Sequence, residues 1–304
     1  MKALALSMLL CAGFASAQSA DTLGFRVYTA AGDTAALSDV VAAMQDADVV
    51  FLGELHNDST AHVLQHRLLE AADTLGRPVA LGLEMFERDV QPVLDEYRAR
   101  LVRERDFLAA ARPWGNYATD YRPLVEYAVA HDLPVLATNA PGRYVNRVSR
   151  LGPDSLDVLS DDAKATLPPL PVAPASDTRA AKFTAMMEGM MGHGHSASDT
   201  TAADSSAAPV HGSAPSMENI LAAQNLRDAA MAHAVAKHLD AVPGALVVHV
   251  NGSFHSEGGL GIPEHLARYR PGTRTLVVTL RPDGDGALAG NDFVIVTRGA
   301  RAPE

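Results

Sequence analysis

The chain has 304 residues, 47% of them apolar, which is enough for a sizeable core and far from the composition of a disordered or fibrous protein. A net charge of −11 and a pI near 5.5 exclude nucleic acid and anionic membrane surfaces as main partners, because both select clustered Lys and Arg and no such cluster occurs.

The first 17 residues read as a secretory signal: Lys2, an apolar run over 3–14, then Ala15, Ser16 and Ala17 as a small-residue cleavage site. Gln18 would begin an exported chain, and the expected compartment is the periplasm. The only cysteine, Cys11, leaves with the signal, so neither a disulfide nor a thiol nucleophile is expected. Leu10 stands where a lipid anchor on Cys11 would need a small residue, so lipid anchoring is not expected. No later apolar run reaches the roughly 18 residues that a membrane span needs.

Residues 25–28 fit a short edge strand followed by the turn AAGD, and 37–44 fit a helix. The stretch VVFLGELHND (49–58) comes next. It predicts a buried strand over 49–52 that stops at Gly53, with Glu54 and His56 beyond it and Asn57 or Asp58 as N-cap of the following helix. That helix returns Ala61, Leu64, Leu68, Ala72 and Leu75 to one face and leaves His62 and His66 to solvent. Apolar runs at 79–83 and 134–138 end at Glu84 and Asn139. Between them a helical stretch carries Trp114, Tyr117, Tyr121 and Tyr127, which can pack a layer over the sheet or wall a ligand.

No strand pattern occurs from 144 to about 240. LPPLPVAP (167–174) must be extended, and 196–213, rich in Ala, Ser, Thr and Asp, reads as a disordered loop. Strand patterns resume at 245–250, 275–280 and 293–297. The prediction is an α/β fold: a mostly parallel central sheet flanked by helices, with a core of 18–142 and 241–304 and an inserted helical lid over 143–240.

If the strands are parallel, Glu54, His56, Glu84, Asn139 and His255 of NGSFH all reach one edge of the sheet, where open α/β sheets bind ligands. Two carboxylates and two imidazoles there can hold a divalent metal ion or act as an acid/base set on a water, and each can equally be a cap or a satisfied polar group. The helix after Ser216 carries Gln224, Arg227 and Asp228 within an apolar stripe, so these groups need partners at the sheet edge or in a buried network. In FTAMMEGMMGHGH (183–195), Phe183, Met186, Met187 and Met190 suit one side of a helix. His193 and His195 follow, so this segment offers haem or copper donors, or solvated residues beside a loop. There is no GxSxG elbow for a serine nucleophile and no CxxCH for covalent haem.

The segments VVFLGELHND, LGLEMFER (81–88), WGNYATDYRPLVEYA (114–128), LPVLATNAP (133–141), AQNLRDAAMA (223–232) and NGSFH (251–255) resemble, in this order, the ChaN-like haem-binding uptake proteins. TraB, Tiki and erythromycin-esterase-like proteins belong to the same wider superfamily. The resemblance implies an α/β core with a helical lid, export, and haem binding tied to iron acquisition, with outer-membrane haem-uptake components as partners. Haem would lie between the lid helices or across a homodimer interface. Tyrosine ligation is the family expectation, yet no Tyr occurs between Tyr144 and Tyr269, so Met187, Met190, Met191, His193 or His195 would supply the axial donor. The rival reading is a metal-dependent hydrolase in which Glu54, His56, Glu84 and His255 match the superfamily's cleft residues, with Arg227 as anion binder.

Overall fold

The computed structural model describes residues 23–192, 215–282 and 290–297, with backbone alone at 190–192. One sheet contains eight strands: β1 (Arg26–Thr29), β2 (Thr34–Ala35), β3 (Val49–Glu54), β4 (Val79–Glu87), β5 (Val135–Asn139), β6 (Leu246–Gly252), β7 (Thr275–Pro282) and β8 (Phe293–Thr297). Their order is β2-β1-β8-β7-β3-β6-β4-β5. From β8 to β5 every neighbouring pair is parallel, and only β1 runs antiparallel, to β8 and to β2. The expected edge strand at 25–28 is therefore second from the edge. The AAGD turn closes a small hairpin, with Thr29 N donating to Asp33 O (2.9 Å), and adds β2 outside it.

The helices are α1 (Leu37–Met44), α2 (Ser59–Asp73), α3 (Gln91–Arg98), α4 (Glu104–Ala111), α5 (Arg122–Ala130), α6 (Gly142–Leu151), α7 (Asp161–Lys164), α8 (Asp177–Gly192), α9 (Met217–Ala241) and α10 (Ile262–Tyr269). They cover both faces of the sheet. Val50 and Leu52 of β3 join Leu64 and Leu68 of α2 and Leu124 of α5 on one side. Val49 and Phe51 join Met231, Val235 and Leu239 of α9 and Ile262 and Leu266 of α10 on the other. Burial on both faces explains why the strands read as continuous apolar runs rather than alternating ones.

Between β5 and β6 the described residues form helices and irregular chain only, and the predicted loop at 196–213 lies outside the described residues. The C-terminal half of α9 packs on the sheet. Its N-terminal half joins Val145 and Val148 of α6, Leu156 and Leu167 in a separate cluster. The polar residues that α9 buries between the sheet and α6 must find partners there.

Candidate functional site

Because β3, β4, β5 and β6 are parallel, their C-terminal ends share one edge, and Glu54, Glu84, Asn139 and Gly252 stand together there. The strands run further than expected. β3 continues through Gly53, where a Cβ would come within 3.0 Å of Ser253 Cα and Ser256 Oγ, so this glycine serves close approach of the 253–256 turn rather than a reversal. β4 continues to Glu87, and its pairing with β5 slips between Leu83 and Glu87. Such a bulge re-aims the side chains within it, here including Glu84.

Glu54 is fully buried and is surrounded by donors. Tyr121 Oη donates to its Oε1 (2.6 Å) and Gln65 Nε2 to its Oε2 (2.5 Å). His56 Nδ1 lies 3.0 Å from Oε1, and His62 Nε2 lies 3.2 Å from Oε2. Burial opposes the charge on Glu54, but His56 and His62 outweigh it and hold the carboxyl down at about 2. Burial likewise acts against protonated His56 and His62. For His56 the hydrogen bond to Glu54 and the charges of Glu84 and Glu54 raise the imidazole above its ordinary value. For His62 the neighbours Glu54, Asp120 and Asp58 do the same.

Local chemistry places each member. Asp58 caps α2, its Oδ1 accepting from Thr60 N (3.0 Å) and Ala61 N (3.1 Å), so the first turn of α2 crosses the end of β3 with His62 and Gln65 facing Glu54. His62 is 5% exposed, which corrects its expected solvation; His66 is half-buried. Tyr121 comes from a short π-helical turn, Tyr117–Tyr121, a local widening that swings its phenol inward. Trp114 stands edge-on to His56, with ring centroids 4.8 Å apart, while Tyr117 is buried against Phe86 and Phe107. The aromatic segment thus supplies both packing and a wall.

A second chain of charges begins at Glu84, whose Oε2 accepts from Gly252 N (2.7 Å) and whose Oε1 lies 3.4 Å from His255 Nε2. His255 Nδ1 is 2.5 Å from Asp228 Oδ1, and Arg179 Nη2 donates to Asp228 Oδ2 (2.8 Å). Burial pushes Asp228 up, but Arg179 and His255 bring it below its ordinary value. Arg179 also donates through Nη1 to Phe254 O (2.5 Å) and stacks over the Phe254 ring at 3.6 Å. Lys182 Nζ pairs with Glu257 Oε2 (3.2 Å). These contacts fasten the first turns of α8 to the turn that carries His255.

The structure brings together Glu54, His56, Glu84 and His255. Asn139 is buried beside them with Oδ1 lacking a hydrogen-bond partner. Arg227 is half-buried on α9, one residue before Asp228. Met187 is half-buried on α8, whereas the side chains of Met190 and Met191, and all of His193 and His195, lie outside the described residues. Among the described residues no group of three or more His, Cys, Asp and Glu could hold a metal ion. The expected Glu/His metal site is thus unsupported, for a physical reason: the oxygens of Glu54 already accept from Tyr121 and Gln65, and Glu84 from Gly252.

The fold and site define a class: a mostly parallel α/β protein with buried carboxylate–imidazole pairs at the C-terminal edge of its sheet. The sequence profile of the family described as "Haem-binding uptake, Tiki superfamily, ChaN" matches residues 40–266, and the chain belongs to that family. It is similar in fold to ChaN of Campylobacter jejuni, solved with cofacially bound haem, at a TM-score of 0.62 and 16% identity, covering 90% of this chain and 97% of that one. It is more distantly similar to the erythromycin esterase EreC in its open conformation, with a TM-score of 0.46, 12% identity and 92% and 84% of the two chains covered. A MARTX toxin effector domain from Vibrio vulnificus aligns at a TM-score of 0.45 and 16% identity, over 88% of this chain and 38% of that one. No curated protein matches the sequence. No helix among the described residues is long and apolar enough to cross a membrane.

Proposed function

We propose that this protein binds haem after export to the periplasm and serves haem or iron acquisition alongside outer-membrane haem-uptake components. The family match over 40–266 carries this reading. The chain's own residues fit the group. Arg179 and Lys182 tie α8 to the cleft, Phe183 is buried against Phe254, and beyond them α8 bears half-buried Met186 and Met187 as thioether donors. Met190, Met191, His193 and His195 extend the same donor chemistry along the sequence. Met186 and Met187 would hold the group through their thioethers, and haem would supply a redox-active iron. The C. jejuni protein binds haem cofacially, and a cofacial arrangement here would stack two haems face to face between two copies of the chain, one haem per chain. Size-exclusion chromatography after mixing with haemin tests this. Haem should co-elute with protein at the volume of two chains, and haem eluting free would overturn the reading.

A second reading, hydrolysis, is favoured by one observation. A Cβ at Gly252 would stand 2.9 Å from His56 Nε2 and 3.7 Å from Glu84 Oε2, so its absence leaves a small space between an imidazole and a carboxylate. A water held there lies beside a His56 whose Nδ1 is fixed on Glu54, and Nε2 can take its proton as it attacks an ester or amide carbonyl. Glu84, His255 and Arg227 would then position the substrate. On a panel of ester and lactone substrates His56→Ala should lose ~100-fold in kcat/KM. Glu54→Gln should move the pH profile to lower pH, because the carboxylate that raises His56 is gone. A wild-type rate no faster than His56→Ala would remove this reading.

A further inference from the structure

A groove of about 400 Å³ opens at the β5 edge of the sheet and shares no residue with the cleft around Glu54. Leu136, Ala137 and Ala234 give it an apolar floor, and Arg88, Lys237 and His238 stand over that floor. β5 is the last strand in the sheet, so its outer backbone groups could in principle recruit another strand. Gln91 forestalls this: its Nε2 donates to Val135 O (2.9 Å), and Ala137 N donates to its Oε1 (2.7 Å). The groove is therefore shaped for a small molecule rather than for a peptide added to the edge.

Its charges are unbalanced. Among the described residues neither Arg88 nor Lys237 pairs with an acid, and Arg88 Nε is buried without a hydrogen-bond partner. The one carboxylate lining the groove, Asp95, accepts from the neutral amide of Gln91 (Nε2, 2.9 Å) and offsets one of the two cations, leaving the groove net positive. Burial holds the Arg88 guanidinium below its usual value, and burial with the charges of Arg88 and Lys237 holds His233, one turn before Lys237, at about 4. A net-positive groove is conspicuous in a chain of net charge −11.

We propose that this groove binds the carboxylate of a small amphipathic organic acid, Arg88 and Lys237 taking the head group and Leu136, Ala137 and Ala234 the apolar body. A guanidinium matches a carboxylate in a planar, two-bond fork, and the apolar floor gives no purchase to an inorganic oxyanion. The proposal is independent of haem.

The test is a titration of the full chain with heptanoate, read by NMR on the imidazoles of His233 and His238, with inorganic phosphate and heptanol as parallel arms. Heptanoate should saturate, and His233 should titrate at higher pH once the head group offsets the two cations. Arg88→Gln should weaken binding ~10-fold or more, as expected for a lost charge-assisted hydrogen bond. Lys237→Gln, at an exposed position, should weaken it ~3-fold and decides the matter if Arg88→Gln does not fold. The proposal is overturned if heptanoate fails to saturate or if Lys237→Gln leaves its affinity unchanged. It is equally overturned if phosphate or heptanol binds as tightly.

Discussion

Glu54 holds a full negative charge in the interior of the protein. An unpaired carboxylate there would cost several kcal/mol, and the contacts from Tyr121, Gln65, His56 and His62 are what make it tolerable. Its carboxyl sits at about 2 in the folded state against an ordinary 4.5, so it favours the ionised fold by about 3 kcal/mol. That contribution is complete above the ordinary value and is lost as pH falls toward 2. Urea unfolding should find Glu54→Gln less stable than wild type by about 3 kcal/mol at pH 7, with the gap closing between pH 4.5 and 2. Equal stability at pH 7 would mean that the contacts do not hold the charge. Glu54, His56, Glu84 and His255 were legible in the sequence because polar residues ending parallel strands must share an edge. Arg179 was not. At the start of a helix it reads as a solvated cation, and its burial depends on Asp228, 49 positions away. The apolar stripe of α2 points His62 toward solvent, but the end of β3 covers it. Three residues from Gln65, His62 turns with it toward Glu54.

At the scale of elements, the strands were legible from apolar runs, and their ends were not. β3 and β4 carry glycine or glutamate inside the strand, residues that normally punctuate it, and tertiary approach overrides the local signal. Gly82 shows how tight the middle of the sheet is. A Cβ there would come within 2.7 Å of His249 Cδ2, and that ring is fixed by Thr138 Oγ1 and Asn251 Oδ1, each 3.0 Å away. Burial holds His249 at about 4, so it is neutral and cannot move to water without breaking both contacts. Gly82→Ala should therefore destabilise by ~1–3 kcal/mol, the usual cost of overpacking a core, with a matching fall in Tm. An unchanged Tm would show that β6 can shift to make room. The helical stretch between β5 and β6 was legible as helical, but the position of α9 against both sheet and α6 was not, since a stripe analysis assumes one buried face.

At the scale of the molecule, two regions of different chemistry meet. The cleft is lined by paired carboxylates and imidazoles. α8 carries half-buried Met186 and Met187, and Arg179 and Lys182 lock it to the turn that carries His255. The haem reading rests on the family match, and the paired acids and imidazoles of the cleft underlie the separate hydrolytic proposal. The family was legible from the order of six short segments, all of them inside the 40–266 stretch that the family profile matches.

The measurement that bears most directly on this account is a haemin titration of the protein followed by absorbance. A Soret band that shifts and saturates at one haem per chain, and that changes in Met187→Ala, is the predicted result. Absorbance that rises in proportion to added haemin, with no end point and no response to that substitution, would contradict it.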